Sequence, residues 1–401
     1  MVVGIITEYN PFHNGHRYQI EEIRKRIKNA SIVVLMSGNF TQRGEPAILD
    51  KFSRAKLAVQ GGCDLVLELP FVNAVRSAQD FACGGVNILK KIGIVDILAF
   101  GAEINSPEML KKAANTINTD NFNKILHEKL NEGFSYANSI CQTLSEITGI
   151  PKKILRLPNV ILAIEYLRAI NSTNIIPLLI PRIGAEHNDI KLHSKISSAK
   201  SIREAIYLKN SVWSDIFQTI DDKTAKILQK TELPMIENLF RPIITKIICS
   251  NNEELKEIYG MNEGLENKII SAAHSTNNLN EFIDSIVSQR YTRTRIQRLL
   301  LHFLIGLKKT HIEEFNDTCY ARILAFNQKG RELIRLMKKS TNIPIITKIT
   351  QHINSQAIYN NQNLDVYQKI LSFDILSTDI YSILKQKVNL GLDFIHSPKF
   401  I

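Results

Sequence analysis

The chain has 401 residues, 44% hydrophobic and 22% charged, the balance of an ordinary globular protein. No apolar run approaches the roughly 18–20 residues that span a bilayer, and the first residues, MVVGIITEYN, lack the basic start of a signal peptide, so a cytoplasmic protein with no membrane partner is expected. Fifty Lys and Arg against 39 Asp and Glu leave a formal charge of +11, which favours polyanions, either nucleotides or nucleic acid.

Residues 2–7, 32–36, 65–69 and 96–100 are short apolar, β-branched-rich runs, as expected of strands buried on both faces in a parallel sheet. Helical patterns lie between them, at about 15–28, 50–60 and 77–91, with Asp50 a candidate N-cap and Gly61-Gly62 a candidate stop. The alternation predicts a doubly wound α/β fold, Rossmann-like, with right-handed crossovers. A strand at 175–180 and a helix from about Ser198 to Leu208 would complete it, and about 107–171 reads as a helical insertion. From residue 211 onward, 3.6-residue periodicity dominates (222–230, 279–286, 295–308) and recognisable strands are few. The expected division is therefore 1–210, an α/β unit, and 211–401, a mainly helical and basic one. Five separated cysteines (Cys63, Cys83, Cys141, Cys249, Cys319) match neither a disulfide framework nor a zinc site and read as reduced thiols.

The first strand runs into Glu8-Tyr9-Asn10-Pro11-Phe12-His13-Asn14-Gly15-His16, where an open parallel sheet places its ligands. Gly15 admits a nucleotide close to the backbone, and a helix starting here turns free N–H groups toward phosphates. His13 and His16, one helical turn apart, can donate to phosphate oxygens and stabilise charge developing at an attacked α-phosphorus. Further on, Ile196-Ser197-Ser198-Ala199-Lys200-Ser201-Ile202-Arg203 offers hydroxyls and cations at a helix start: Ser197, Ser198, Lys200 and Arg203 are candidate phosphate contacts. Between residues 290 and 339 twelve basic residues stand against four acids. Arg290, Arg293, Arg295, Arg298, Lys338 and Lys339 are the candidate RNA contacts, a solvated helix face being the plainer alternative. The loop 37–46 reads as an active-site loop, and Lys51, Arg54 and Lys56 as a face open to phosphate, RNA or solvent. His187, Asp189 and His193 are too loosely spaced for a metal site, and Leu336–Ser340 too short for a KMSKS loop.

The two motifs resemble the (H/T)xGH and ISSTxIR signatures of the nucleotidyltransferase superfamily, the second departing by Ala199 and one extra residue. More specifically, EYNPFHNGH (8–16), SGNFTQRGEPA (37–47), KFSRAKLAVQGGCDLVLELPF (51–71), FGAE (100–103), PNVILAIEYLRAI (158–170), PRIGAEHND (181–189) and RYTRTRIQRLLLH (290–302), in this order, resemble the bacterial tRNA(Met) cytidine acetate ligase family. That resemblance implies activation of acetate by ATP as acetyl-adenylate, then acetylation of N4 of the wobble cytidine of elongator tRNA(Met). Carried onto this chain, the implied ATP contacts are Ile6, Thr7, Glu8, Tyr9, Asn10, Pro11, Phe12, His13, Asn14, Gly15, His16, Arg17, Tyr18 and Gln19, then Gly101, Asn159, Arg182 and Ile183. Mg²⁺ is expected with the triphosphate. Two other classes remain open at this point: a small-molecule adenylyltransferase, which needs no large basic helical unit, and a non-catalytic nucleotide- or RNA-binding protein.

Overall fold

In the computed structural model, which describes residues 1–183, 196–208, 213–262, 264–359 and 363–401, one sheet organises the chain. Its parallel strands are β1 (Val2–Thr7), β2 (Ser31–Ser37), β3 (Leu65–Leu69), β4 (Ile97–Ala102) and β5 (Ile176–Pro181). The spatial order is β5-β4-β1-β2-β3. The chain therefore builds outward from β1 through β2 to β3, then crosses back to place β4 on the other side of β1. The strand order reverses between β1 and β4, the position at which open α/β sheets bind ligands.

Alternate residues of each strand enter separate cores. Ile6, Val33, Leu35, Leu67 and Phe100 pack on one face, and Val3, Ile5, Val34, Met36 and Ala99 on the other. This explains why the strands read as continuous apolar runs rather than alternating ones. Asp50 caps the helix Lys51–Gln60 by accepting from the Ser53 N–H, and Gly61 ends it. The segment 107–171 forms five helices between β4 and β5. Residues 213–401 are mainly helical, as expected, yet they also complete the first half's sheet. The strand β6 (Ala321–Phe326) pairs antiparallel with β3, while β7 (Ile345–Ile346) and β8 (Lys399–Phe400) lie parallel on the far edge of β6. A clean separation near residue 210 therefore does not hold for the sheet.

A buried charge cluster joins the halves where β3 and β6 meet the helix Lys51–Gln60. Lys51 Nζ lies 2.8 Å from Glu68 Oε1 and 3.0 Å from Asp393 Oδ1, and Arg322 lies 2.9 Å from Glu68 Oε2. Thr378 Oγ1 donates to Asp393 at 2.6 Å. Lys51 and Arg322 are therefore structural, and Arg54 is fully buried as well, so none of the three faces RNA or solvent; Lys56 alone of the predicted helix face is exposed. Among the described residues all five cysteines are unbridged, Cys63, Cys141 and Cys319 being buried. No described helix is long and apolar enough to cross a membrane.

Candidate active site

The loop after β1 is held from beneath. Tyr9 and Phe12 are buried and pack edge to face, with ring centroids 5.0 Å apart. Asn10 Oδ1 accepts from the Ile48 N–H at 2.7 Å, and Arg203 donates to the Asn10 carbonyl at 2.8 Å. The fully buried Arg54 donates to the carbonyls of Glu8, Ser37, Gly38 and Leu49, so one guanidinium ties together the carboxyl ends of β1 and β2. Desolvation lowers its pKa, and these four carbonyls compensate the burial of a charge that forms no ion pair among the described residues.

His13 is the N-cap of the helix Asn14–Arg26. Its Nδ1 accepts from the Gly15 N–H at 3.0 Å, and His16 Nδ1 accepts from the His13 N–H at 3.3 Å. The two rings stack with centroids 3.7 Å apart. Burial, then the positive charges of Arg182 and Arg203, push His13 down to about 3. Burial, then His13 and Arg182, lower His16 well below its ordinary value. Both imidazoles are therefore neutral near pH 7. Because each Nδ1 accepts from a backbone N–H, the ring proton of each sits on Nε2. The result is a pair of neutral N–H donors beside a helix N-terminus, suited to an anion.

These groups line a cavity of about 1600 Å³. From the expected nucleotide loop it takes in Ile6, Thr7, Glu8, Tyr9, Asn10, His13, Gly15, His16, Tyr18 and Gln19. Pro11, Phe12, Asn14 and Arg17 do not line it. Phe12 packs under Gly61, Asn14 donates to the Gln218 carbonyl, and Arg17 pairs with Asp221 at 2.7 Å. Asn14 and Arg17 thereby fix the loop to the segment that follows position 213. Gly101, Asn159, Arg182, Ile183, Ser197, Ser198, Lys200 and Arg203 all line the cavity. A Cβ on Gly101 would lie 3.2 Å from Arg182 Cγ, so that glycine makes room for the Arg182 stem. Asn159 Nδ2 donates at 2.7 Å to Oε1 of Glu103, the acid that closes the FGAE block and to which the sequence assigned no role. Ser198 Oγ accepts from the Ser201 N–H at 3.0 Å, as a capping serine does. His187, Asp189 and His193 lie outside the described residues.

The basic cluster divides in space. Arg290, Arg295 and Arg298 line the cavity. Arg293 instead pairs with Asp284 on an exposed face, and Arg322 belongs to the buried cluster. Lys338 and Lys339 lie in the last turn of the helix Gln328–Ser340, where Ser340 and the next residue, Thr341, bond to the carbonyls of Ile92 and Lys91 just before β4. That is the end of the sheet opposite the cavity, so these two lysines do not join the arginines. The loop 37–46 does reach the site: Thr41, Gln42, Arg43 and Glu45 line it. Gln42 also makes three contacts absent from the sequence reading, donating to Glu8 Oε1 and the Arg76 carbonyl, each at 2.7 Å, and accepting from Arg298 at 3.4 Å.

The sequence profile of the HIGH Nucleotidyl Transferase family matches residues 1–392. The tRNA(Met) cytidine acetate ligase of Caldanaerobacter subterraneus subsp. tengcongensis is 38% identical over 98% of this chain and 98% of its own length. That of Acetivibrio thermocellus is 39% identical over 95% and 94%. Crystal structures of Thermotoga maritima TmcAL superpose with TM-scores of 0.90 for the apo form and 0.88 for the form bound with alpha-thio ATP. Their identities are 32% and 31%, covering 100% of this chain and 99% of each neighbour.

Proposed function

Given that the chain belongs to the HIGH nucleotidyltransferases and, among them, to the tRNA(Met) cytidine acetate ligase family, we propose that it activates acetate with ATP and transfers the acetyl group to N4 of the wobble cytidine of elongator tRNA(Met). The observation that carries this reading is the stacked, neutral His13–His16 pair at the helix start, whose Nε2–H groups have no hydrogen-bond partner among the described residues. An acetate oxygen attacks the α-phosphorus of ATP and pyrophosphate leaves. The two Nε2–H groups hold the phosphate oxygens while negative charge builds on them, and Arg182 and Arg203 add positive potential. The cytidine amine then attacks the acetyl carbon of the mixed anhydride; AMP departs with the bonding pair, and the amine gives up a proton.

Among the described residues no group of three His, Cys, Asp or Glu could hold a metal ion. Mg²⁺ would be carried mainly by the triphosphate oxygens of ATP, where it would neutralise the departing pyrophosphate. In this reading residues 1–210, with the helical insertion 107–171, form the adenylating part. The helical residues 211–401 supply the RNA-facing wall through Arg290, Arg295 and Arg298. A cytoplasmic location follows from a tRNA substrate.

The test is incubation of the protein with ATP, labelled acetate and bacterial tRNA, beside His16→Ala. N4-acetylcytidine in tRNA(Met), lost in the variant, is the expected result. Adenylation of a small molecule without any RNA requirement would favour a small-molecule adenylyltransferase, and binding without ATP turnover would leave a nucleotide-binding protein.

A further inference from the structure

The cavity is larger than ATP and acetate require. Small-molecule sites measure roughly 300–1000 Å³, against about 1600 Å³ here. Part of its wall is the helix Arg293–Ile305, which carries Arg295 and Arg298 one turn apart. Arg298 is locked in place from the nucleotide side. A Cβ on Gly44 would lie 2.8 Å from the Arg298 nitrogen, so the loop 37–46 packs against the helix backbone at that point. Gln42 on the same loop accepts from the Arg298 guanidinium and donates to Glu8, at the end of β1. One residue thus spans from the arginine to the start of the phosphate loop.

Among the described residues no carboxylate forms an ion pair with Arg295 or Arg298. Asp80 acts on Arg298 only after burial and the repulsion of Arg295, which together bring the guanidinium down to about 10. Asp80 is itself engaged by Arg76 at 2.9 Å and Ser77 Oγ at 2.6 Å. Arg295 lies 4.7 Å over the Tyr291 ring, and Arg76 lies 4.6 Å over the Tyr259 ring. Two like charges drawn together and partly removed from water are unfavourable until an anion joins them. Their planar forks match phosphate oxygens.

We propose that Arg298 and Arg295 form an anion subsite that holds an RNA backbone phosphate flanking the acceptor cytidine, so that this nucleotide enters the cavity unstacked instead of lying across its mouth. The inference rests on the ligase reading and adds where the RNA chain is gripped. A phosphate in this position leaves the base to reach inward toward the acetyl group, as single-stranded RNA recognition requires. The same chemistry would also suit the triphosphate tail of ATP, and the two sources separate by experiment.

Arg298→Ala, Arg298→Lys and Arg295→Ala are compared with wild type in two assays. The first is acetate-dependent ATP–pyrophosphate exchange without RNA, which also reports folding. The second is acetylation of tRNA(Met) and of an anticodon stem-loop in which a single phosphate beside the cytidine is a neutral methylphosphonate. The subsite predicts exchange within about threefold of wild type, and a loss of about 10- to 100-fold in kcat/KM for RNA on Arg298→Ala, milder on Arg298→Lys. It also predicts that one methylphosphonate position costs the wild type a similar factor and the Arg298→Ala protein little more. A raised KM for ATP with unaltered RNA kinetics would assign the arginines to the triphosphate and overturn the proposal. So would variant and methylphosphonate penalties that simply multiply at every position. Wild-type exchange with no RNA acetylation would overturn the ligase reading, and this subsite with it.

Discussion

Replacing Gly15 with alanine separates the chemistry of the site from its stability. A Cβ at this position would lie 2.8 Å from His13 Cε1 and 3.0 Å from its Nδ1. Both distances are too short for the ring to stay, so the imidazole must turn and give up the bond it accepts from the Gly15 N–H. Loss of an N-cap bond costs about 1 kcal/mol. Alanine in place of glycine within a helix returns about 1 kcal/mol, and Gly15 lies in helical backbone, where alanine is not strained. The two terms offset, so the unfolding free energy from urea titration should stay within about 1 kcal/mol of wild type. Catalysis has no such compensation. Turning His13 moves its Nε2–H off the phosphate oxygen, and loss of one preorganised donor typically lowers turnover by ~10²–10³. The assay is ATP–pyrophosphate exchange with acetate, run beside urea unfolding on the same preparation. Exchange within about threefold of wild type would refute the role given to the His13 ring. A stability loss above about 3 kcal/mol would refute the claim that the ring is there mainly for chemistry.

Two more outcomes follow from the buried ionisable groups. His13, His16 and His302 are all held neutral by burial, His13 down to about 3 and His302 down to about 4. The unfolded chain therefore takes up their protons first as pH falls below about 6.5, and stability declines toward pH 4 by up to about 1.4 kcal/mol per pH unit for each histidine; urea midpoints for His302→Gln that fall as steeply with acid as wild type would count against this. Lys51→Met leaves Glu68 and Asp393 sharing only Arg322 and should cost about 3–5 kcal/mol, a reading that a denaturation midpoint equivalent to less than 1 kcal/mol of loss would exclude.

The strands of the first half were legible because burial on both faces writes itself as short β-branched runs. The helix Lys51–Gln60 was legible because its cap and its stop are both local. The histidine pair was legible for the same reason: its partners lie within three residues. What the sequence concealed depends on residues far away in the chain. KFSRAK reads as a charged helix face, and only Glu68, Asp393 and the carbonyls of Glu8, Ser37 and Gly38 make Lys51 and Arg54 interior residues. The strand β6 is six residues of ARILAF, a run too short for periodicity to tell strand from buried helix. The basic residues from 290 to 339 look like one patch in sequence, but the helix that ends at Ser340 carries its lysines to the opposite end of the sheet.

The antiparallel β6 also dictates when this protein can finish folding. Some 250 residues of chain separate β3 from the strand that covers its edge. During synthesis the five parallel strands emerge long before that partner, leaving the backbone donors and acceptors of β3 as a template for any other extended chain. Glu68 and Lys51 wait as long for Arg322 and longer still for Asp393. A nascent chain cut short before residue 321 would expose an aggregation-prone rim and leave the Lys51–Glu68 pair without its Arg322 and Asp393 partners, even though every residue of the HxGH loop had been made. The price of building the adenylating sheet from both ends of the chain is thus a long interval of vulnerability on the ribosome.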